Sequence, residues 1–147
     1  MYSQAEENYL KTIYSLEKEF GNEVSTNLIA GKINTKASSV TDMLKKLAHK
    51  DLVVYVKYQG VYLTELGRLS ALKVIRKHRL WECFLVQKLQ FNWDEVHDIA
   101  EQLEHVKSEA LISKLDAFLK FPKLDPHGDP IPDAHGRTIL NKTVSIT

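Results

Sequence analysis

All four prolines of this 147-residue chain, Pro122, Pro126, Pro130 and Pro132, lie in one short stretch near its end. Proline lacks a backbone donor and clashes with the preceding helical turn, so everything before Pro122 is free to be helical. With 44% hydrophobic and 27% charged residues, the chain has the make-up of one compact domain or two small ones sharing a core. The formal net charge is only +1, so a nucleic acid, membrane or acidic ligand has no bulk electrostatic signature and must be read locally. The lone cysteine, Cys83, excludes an intrachain disulfide and a cysteine-built zinc site, and suits a reducing cytoplasm. Met1 to Leu10 carry Glu6 and Glu7 and no apolar run, which predicts no signal peptide. No stretch approaches the ~20 apolar residues of a membrane span. The expectation is a soluble cytoplasmic protein without a membrane partner.

Leu10, Ile13, Tyr14, Leu16 and Phe20 keep helical spacing and stop at Gly21, where a left-handed cap meets no side-chain clash. Ser25 can cap a short helix carrying Leu28, Ile29 and Ile33, and the turn Asn34-Thr35-Lys36 leads to a third helix with Val40, Met43, Leu44 and Leu47 on one face. The β-branched and aromatic runs 52–56 and 61–64, separated by Lys57-Tyr58-Gln59-Gly60, predict a hairpin. Helix, turn, helix, hairpin is the order of a winged helix. A long helix from Glu65 to Leu89, a helix from about Trp93 to His105 opened by Asn92 and Glu95, and a last helix from Ser108 to Lys120 follow. The predicted fold is therefore mainly α. It comprises an N-terminal winged helix-turn-helix over 1–64, an all-helical dimerisation domain over 65–121, and a Pro/Gly-rich tail over 122–147.

Opposite its apolar face the third helix presents Ser38, Ser39, Thr41, Asp42, Lys45, Lys46 and His49. Small polar groups at a helix start allow close approach to the DNA major groove, and lysines one turn later can neutralise phosphates. Lys36 in the turn and Lys57 at the hairpin tip add backbone contacts. A solvated helix face or a protein-interaction module is the alternative, and the hairpin in its proper place favours double-stranded DNA. So small a head binds weakly alone, which predicts a homodimer built on the Leu-rich 65–89 helix and the 108–120 helix.

His97, Glu101, Glu104 and His105 share one face of the penultimate helix by spacing, and His78 and Glu82 are four apart on the helix before it. Imidazoles and carboxylates that converge suit a borderline divalent cation, while an exposed polar face is the bland use of the same residues.

Asn8-Tyr9-Leu10-Lys11-Thr12-Ile13-Tyr14, Ser38-Ser39-Val40-Thr41, Lys77-His78-Arg79-Leu80 with Glu82, and Val96-His97-Asp98 leading to Glu104-His105-Val106 resemble the diphtheria toxin repressor family of iron- and manganese-dependent repressors. Gly128-Asp129-Pro130-Ile131-Pro132 resembles the segment that follows that family's dimerisation helices. The resemblance implies a metal-activated dimeric repressor with two neighbouring sites. One would be held by His78, Glu82 and His97, the other by Asn8, Glu101, Glu104 and His105. Iron-type members carry a thioether and a thiol at the positions of Asn8 and Glu101; manganese-type members carry carboxylates at both, and another at that of Lys11. Glu101 follows the manganese pattern, Asn8 is a neutral oxygen donor, and Lys11 cannot ligate. An oxygen-rich site implies Mn²⁺ or Fe²⁺, with Zn²⁺ or Co²⁺ able to bind in vitro by the order of intrinsic affinities. Sharing an ion between Asn8 and the later helices would couple the reading head to the dimer scaffold.

A dimetal helical enzyme is disfavoured, because neither the paired Glu-x-x-His motifs nor H-E-x-x-H occurs. Cys83 is expected to be a buried small hydrophobe rather than a nucleophile, and His127 and His135 to be ordinary loop residues. A winged-helix regulator of a non-metal ligand is the remaining rival. Family members often continue into a small β-barrel domain, so a short form or a truncated piece is expected.

Overall fold

The computed structural model describes residues 2–21 and 23–138. It divides into two compact units between Ala71 and Leu72. Among the described residues, no helix is long and apolar enough to cross a membrane.

In the first unit, α1 (Gln4–Phe20) opens on a capping box: Ser3 Oγ accepts from Glu6 N at 3.1 Å and Ser3 N donates to Glu6 Oε1 at 2.8 Å. It ends at Gly21, φ 87°, as the spacing predicts. Ser25 caps α2 (Thr26–Ile33), and left-handed Asn34 turns the chain into α3 (Ala37–His49). The hairpin pairs β1 (Val53–Val56) antiparallel with β2 (Gly60–Leu63), in the register Val53 to Leu63. Leu10, Ile13, Val24, Ile29, Val40, Leu44, Leu47, Leu52 and Val61 are fully buried and form the core. Phe20 and Leu28, expected on inward faces, are instead largely exposed; Phe20 sits in the last turn of α1, beyond Leu16, the final buried residue of that helix.

The long helix α4 (Glu65–Gln87) begins where Thr64 Oγ1 accepts from Gly67 N at 3.0 Å. Gly67 is required by close approach, since a Cβ there would meet Leu52 O at 2.0 Å. In the second unit, α4 continues beside α5 (Val96–Leu103) and α6 (Glu109–Phe118), the latter capped by Ser108. Leu80, Cys83, Ile112, Leu115, Leu119 and Ile131 make this unit's core. The proline-rich segment is thus packed rather than trailing: Ile131 lies in this core, Arg79 donates to Pro130 O, and Arg76 Nη1 donates to Pro132 O at 3.5 Å.

Candidate metal centre and nucleic-acid interface

The predicted helix from Trp93 to His105 is shorter than expected. Residues 93–95 form a turn in which Asn92 N donates to Glu95 Oε1 at 2.8 Å, and α5 stops at Leu103. The consequence is a correction to the single polar face. His97 and Glu101 remain on the outer side of α5, paired at 3.5 Å with side chains 62% and 46% exposed, whereas Glu104 and His105 lie in the turn beyond the helix and are buried. Glu104 keeps helical dihedrals, φ −64° and ψ −13°, and its N donates to Ala100 O at 2.8 Å, so it follows the buried Val96 and Ala100 inward while Glu101 stays on the outer side.

Glu104 and Glu82 are among the most deeply buried side chains of the molecule. Between them stands His78. Its Nδ1 lies 2.7 Å from Glu104 Oε1 and its Nε2 3.4 Å from Glu82 Oε2. His105 Nε2 is 3.5 Å from Glu104 Oε2, and the His97 ring meets the His78 ring edge-on at 5.0 Å. His78, Glu82 and His97 each offer a ligand atom within 4.8 Å of the others. Burial disfavours a charged His78, but the carboxylates of Glu104 and Glu82 outweigh it and raise its pKa. Burial likewise works against an ionised Glu82, yet His78, Asp125 and His127 together hold its pKa below the usual carboxylate value.

Two contributors escaped the sequence reading. His127, read there as an ordinary loop residue, brings Nδ1 to 3.4 Å from Glu82 Oε2, while its Nε2 lies 2.9 Å from Trp93 O. Asp125, Glu82 and His127 form a second group whose ligand atoms lie within 4.8 Å of one another. Asp125 Oδ1 accepts from His127 N at 2.9 Å and from Asp129 N at 2.8 Å, a side-chain-closed turn eased by left-handed Gly128. That Asp-Pro-His-Gly turn is the sequence signal that could have found them. Burial and the neighbouring Glu82 raise the Asp125 pKa. The same surroundings, burial foremost, push the Cys83 thiol up to about 12, so it stays protonated and is neither nucleophile nor thiolate ligand at neutral pH.

The donor set fits a divalent cation. Buried carboxylates are costly unless paired or metal-bound, and imidazoles, which are themselves ligands when neutral, face both Glu82 and Glu104. Asn8 lies exposed on α1 in the first unit.

In the first unit, Ser38, Ser39, Asp42, Lys45 and Lys46 are exposed along α3, as are Lys36 before it and Lys57 on the hairpin; Thr41 is half-buried, its Oγ1 donating to Ala37 O at 3.1 Å.

Residues 1–61 match the iron dependent repressor N-terminal DNA binding domain, and residues 64–133 match the iron dependent repressor metal binding and dimerisation domain. The chain belongs to the iron-dependent repressor family. The iron-dependent repressor IdeR of Mycobacterium tuberculosis is 36% identical over 126 residues, which cover 86% of this chain and 54% of that protein. The chain therefore spans about half the length of the curated relatives it matches first. A manganese-dependent transcriptional repressor solved in complex with manganese superposes with a TM-score of 0.82 at 45% identity, over 90% of this chain and 60% of that one. A "Probable metal transport system membrane protein" of Chlamydia trachomatis is 45% identical over 86 residues, 58% of this chain and 19% of that protein. Family membership supports the winged-helix reading of the first unit, and the repressors IdeR and the manganese-bound protein set the dimetal enzyme aside.

Proposed function

We propose that the chain is a cytoplasmic, metal-dependent transcriptional regulator: a homodimer that represses metal-uptake genes by gripping operator DNA when Mn²⁺ or Fe²⁺ is bound. The observation that carries this reading is the burial of Glu82 and Glu104 on either side of His78, within the segment matching the family's metal binding and dimerisation domain. The proposed ligands are His78, Glu82, His97, Glu101, Glu104 and His105, with Asn8 as the donor from α1 and Asp125 and His127 joining Glu82. When bound, the cation supplies the positive charge that these carboxylates require. Lys36, Ser38, Ser39, Thr41, Asp42, Lys45, Lys46 and Lys57 are the proposed DNA contacts.

Three oxygen donors from Glu82, Glu104 and Asp125, with no thiolate among them, favour Mn²⁺ or Fe²⁺ in a cell, although Zn²⁺ and Co²⁺ bind nitrogen and oxygen sites at least as well in vitro. The dimer rests on α4 and α6. Leu111 and Phe118 are largely exposed on α6, Phe84 packs against Phe118, and Trp81 Nε1 is a buried donor without an acceptor among the described residues. A second copy placed on this face would cover apolar surface and could supply that acceptor. The match to part of a metal transport protein supports metal uptake as the regulated process. A tenfold switch in operator occupancy asks the metal to favour the DNA-competent form by only about 1.4 kcal/mol.

The test is a titration. A labelled duplex, selected from a random-sequence pool by the Mn²⁺-loaded protein, is presented to chelator-stripped protein with Mn²⁺, Fe²⁺ or Zn²⁺ added singly. Loss of binding on stripping and its return with Mn²⁺ or Fe²⁺ is the expected result. Binding indifferent to the chelator would favour a non-metal ligand instead.

A further inference from the structure

At the tip of the hairpin, Tyr58 is 92% exposed and adopts a left-handed backbone, φ 66°. Gln59 N donates to Val56 O at 3.0 Å, closing a four-residue turn in which Tyr58 takes the third place. Glycine or asparagine adopts that conformation readily, and a bulky aromatic residue does so at a cost. The hairpin is anchored right beside this turn, where Val56 pairs with Gly60 and Tyr55 with Val61. Val24 and Val61 exchange backbone hydrogen bonds of 2.7 and 2.9 Å, and Gly60, φ 133°, lies so close that a Cβ there would meet Val24 O at 2.2 Å. The turn at the tip is therefore held from the Val24 side, and it carries an aromatic ring outward. Lys57 Nζ stands 5.1 Å from the centre of that ring. At such exposure the ring is not used for packing within the fold, and its face is available to a partner outside the chain.

We propose that Tyr58 is a DNA-contacting residue. Its ring lies against the sugar–phosphate backbone beside the groove entered by α3, its hydroxyl donates to a phosphate oxygen, and Lys57 neutralises a phosphate of the same strand. Duplex DNA is the occupant because the hairpin tip falls within the segment matching the DNA binding domain, and because the charge at the tip is positive. Tyrosine suits the task, since its rigid apolar body can cover sugars while its polar end reaches a phosphate. The inference rests on the DNA-binding reading of this unit and extends it to a residue that the helix-centred reading leaves out.

Tyr58→Gly, Tyr58→Phe and Lys57→Ala are compared with the wild type in two measurements: thermal midpoint without DNA, and fluorescence anisotropy with the labelled duplex selected by the Mn²⁺-loaded wild type, in Mn²⁺ over a range of salt. Tyr58→Gly is expected to keep or raise the midpoint, because the strained conformation is relieved, while weakening binding about tenfold with the salt slope unchanged. Tyr58→Phe falls between it and the wild type. Lys57→Ala lowers the salt slope by about one phosphate contact. A Tyr58→Gly protein with wild-type affinity overturns the proposal and leaves the DNA-binding reading standing. So does one that loses midpoint and affinity together, since the ring then serves the fold. A wild-type chain that selects no duplex from the pool overturns both readings.

Discussion

Glu104 Oε1 and His78 Nδ1 meet at 2.7 Å across 26 positions of the chain, and both residues are buried. The pair joins α4 to the turn after α5 within one unit. It also orients the His78 ring, so that Nε2 faces Glu82. An imidazole fixed between two buried carboxylates answers equally well as a proton carrier and as a ligand, and which of these it is depends on whether a cation or a proton occupies it.

Removing one partner of this pair has a double effect. Glu104→Ala leaves the buried His78 Nδ1 without its 2.7 Å partner, with Glu82 still beside the ring, and is expected to cost about 3 kcal/mol of stability, seen as a lowered denaturant midpoint. His105→Ala is the cleaner functional variant. It should abolish Mn²⁺-stimulated DNA binding while size-exclusion chromatography still reports a dimer. Mn²⁺-independent binding at the wild type's loaded level would refute the assignment.

The Asp125 and His127 donors predict a change in metal uptake confined to the Glu82 side. Asp125→Asn with His127→Ala should weaken Mn²⁺ binding by at least about tenfold, or remove one equivalent, in isothermal titration calorimetry. Unaltered affinity and stoichiometry would reduce the Asp-Pro-His-Gly turn to a structural role.

The raised pKa of His78 gives protein held in chelator a defined pH dependence. Burial lowers that pKa and the two carboxylates raise it further, so the protonated form is favoured by folding. The stabilisation is fully present below the ordinary imidazole value of 6.5 and is lost as pH rises through the raised folded value. The thermal midpoint in EDTA should therefore fall over that interval, and His78→Asn should flatten the fall. With excess Mn²⁺ the trend should reverse, because metal and proton compete for the same nitrogens.

Gly60 tests the anchoring of the hairpin. Gly60→Ala forces a methyl group to 2.2 Å from Val24 O at a positive φ, and about 1–3 kcal/mol of stability should be lost. Chemical denaturation measures it; a neutral effect would mean that the Val24–Val61 pairing is not rigid.

Charge on α3 is open to a salt titration. Lys45→Ala and Lys46→Ala should each reduce the slope of log affinity against log salt by about 1, with little effect on stability, since both side chains are exposed. An unchanged slope would move the phosphate contacts elsewhere.

Much of the architecture is local and could be read directly. Gly21 ends α1, Ser25 and Ser108 cap α2 and α6, the apolar spacing of Val40, Leu44 and Leu47 sets the buried face of α3, and the hairpin falls between the two β-branched runs. Each of these depends on neighbours within about four residues, where backbone hydrogen bonding and helical periodicity operate. The penultimate helix shows where this stops: spacing groups Glu101 with Glu104 on one polar face, but Glu104 follows the buried Val96 and Ala100 into the interior, where it meets His78.

By itself, then, the sequence determined the order of elements, the helix ends and the types of donor available to a cation, because these follow from residue chemistry and short-range geometry. Only the tertiary structure decided that Glu82, Glu104 and Asp125 are buried together, that His97 and Glu101 stay at the surface, and that His127 reaches Glu82. Whether a charged side chain is buried depends on the partners that compensate it, and here those partners come from α4, from the turn after α5 and from the proline-rich segment, far apart in the chain.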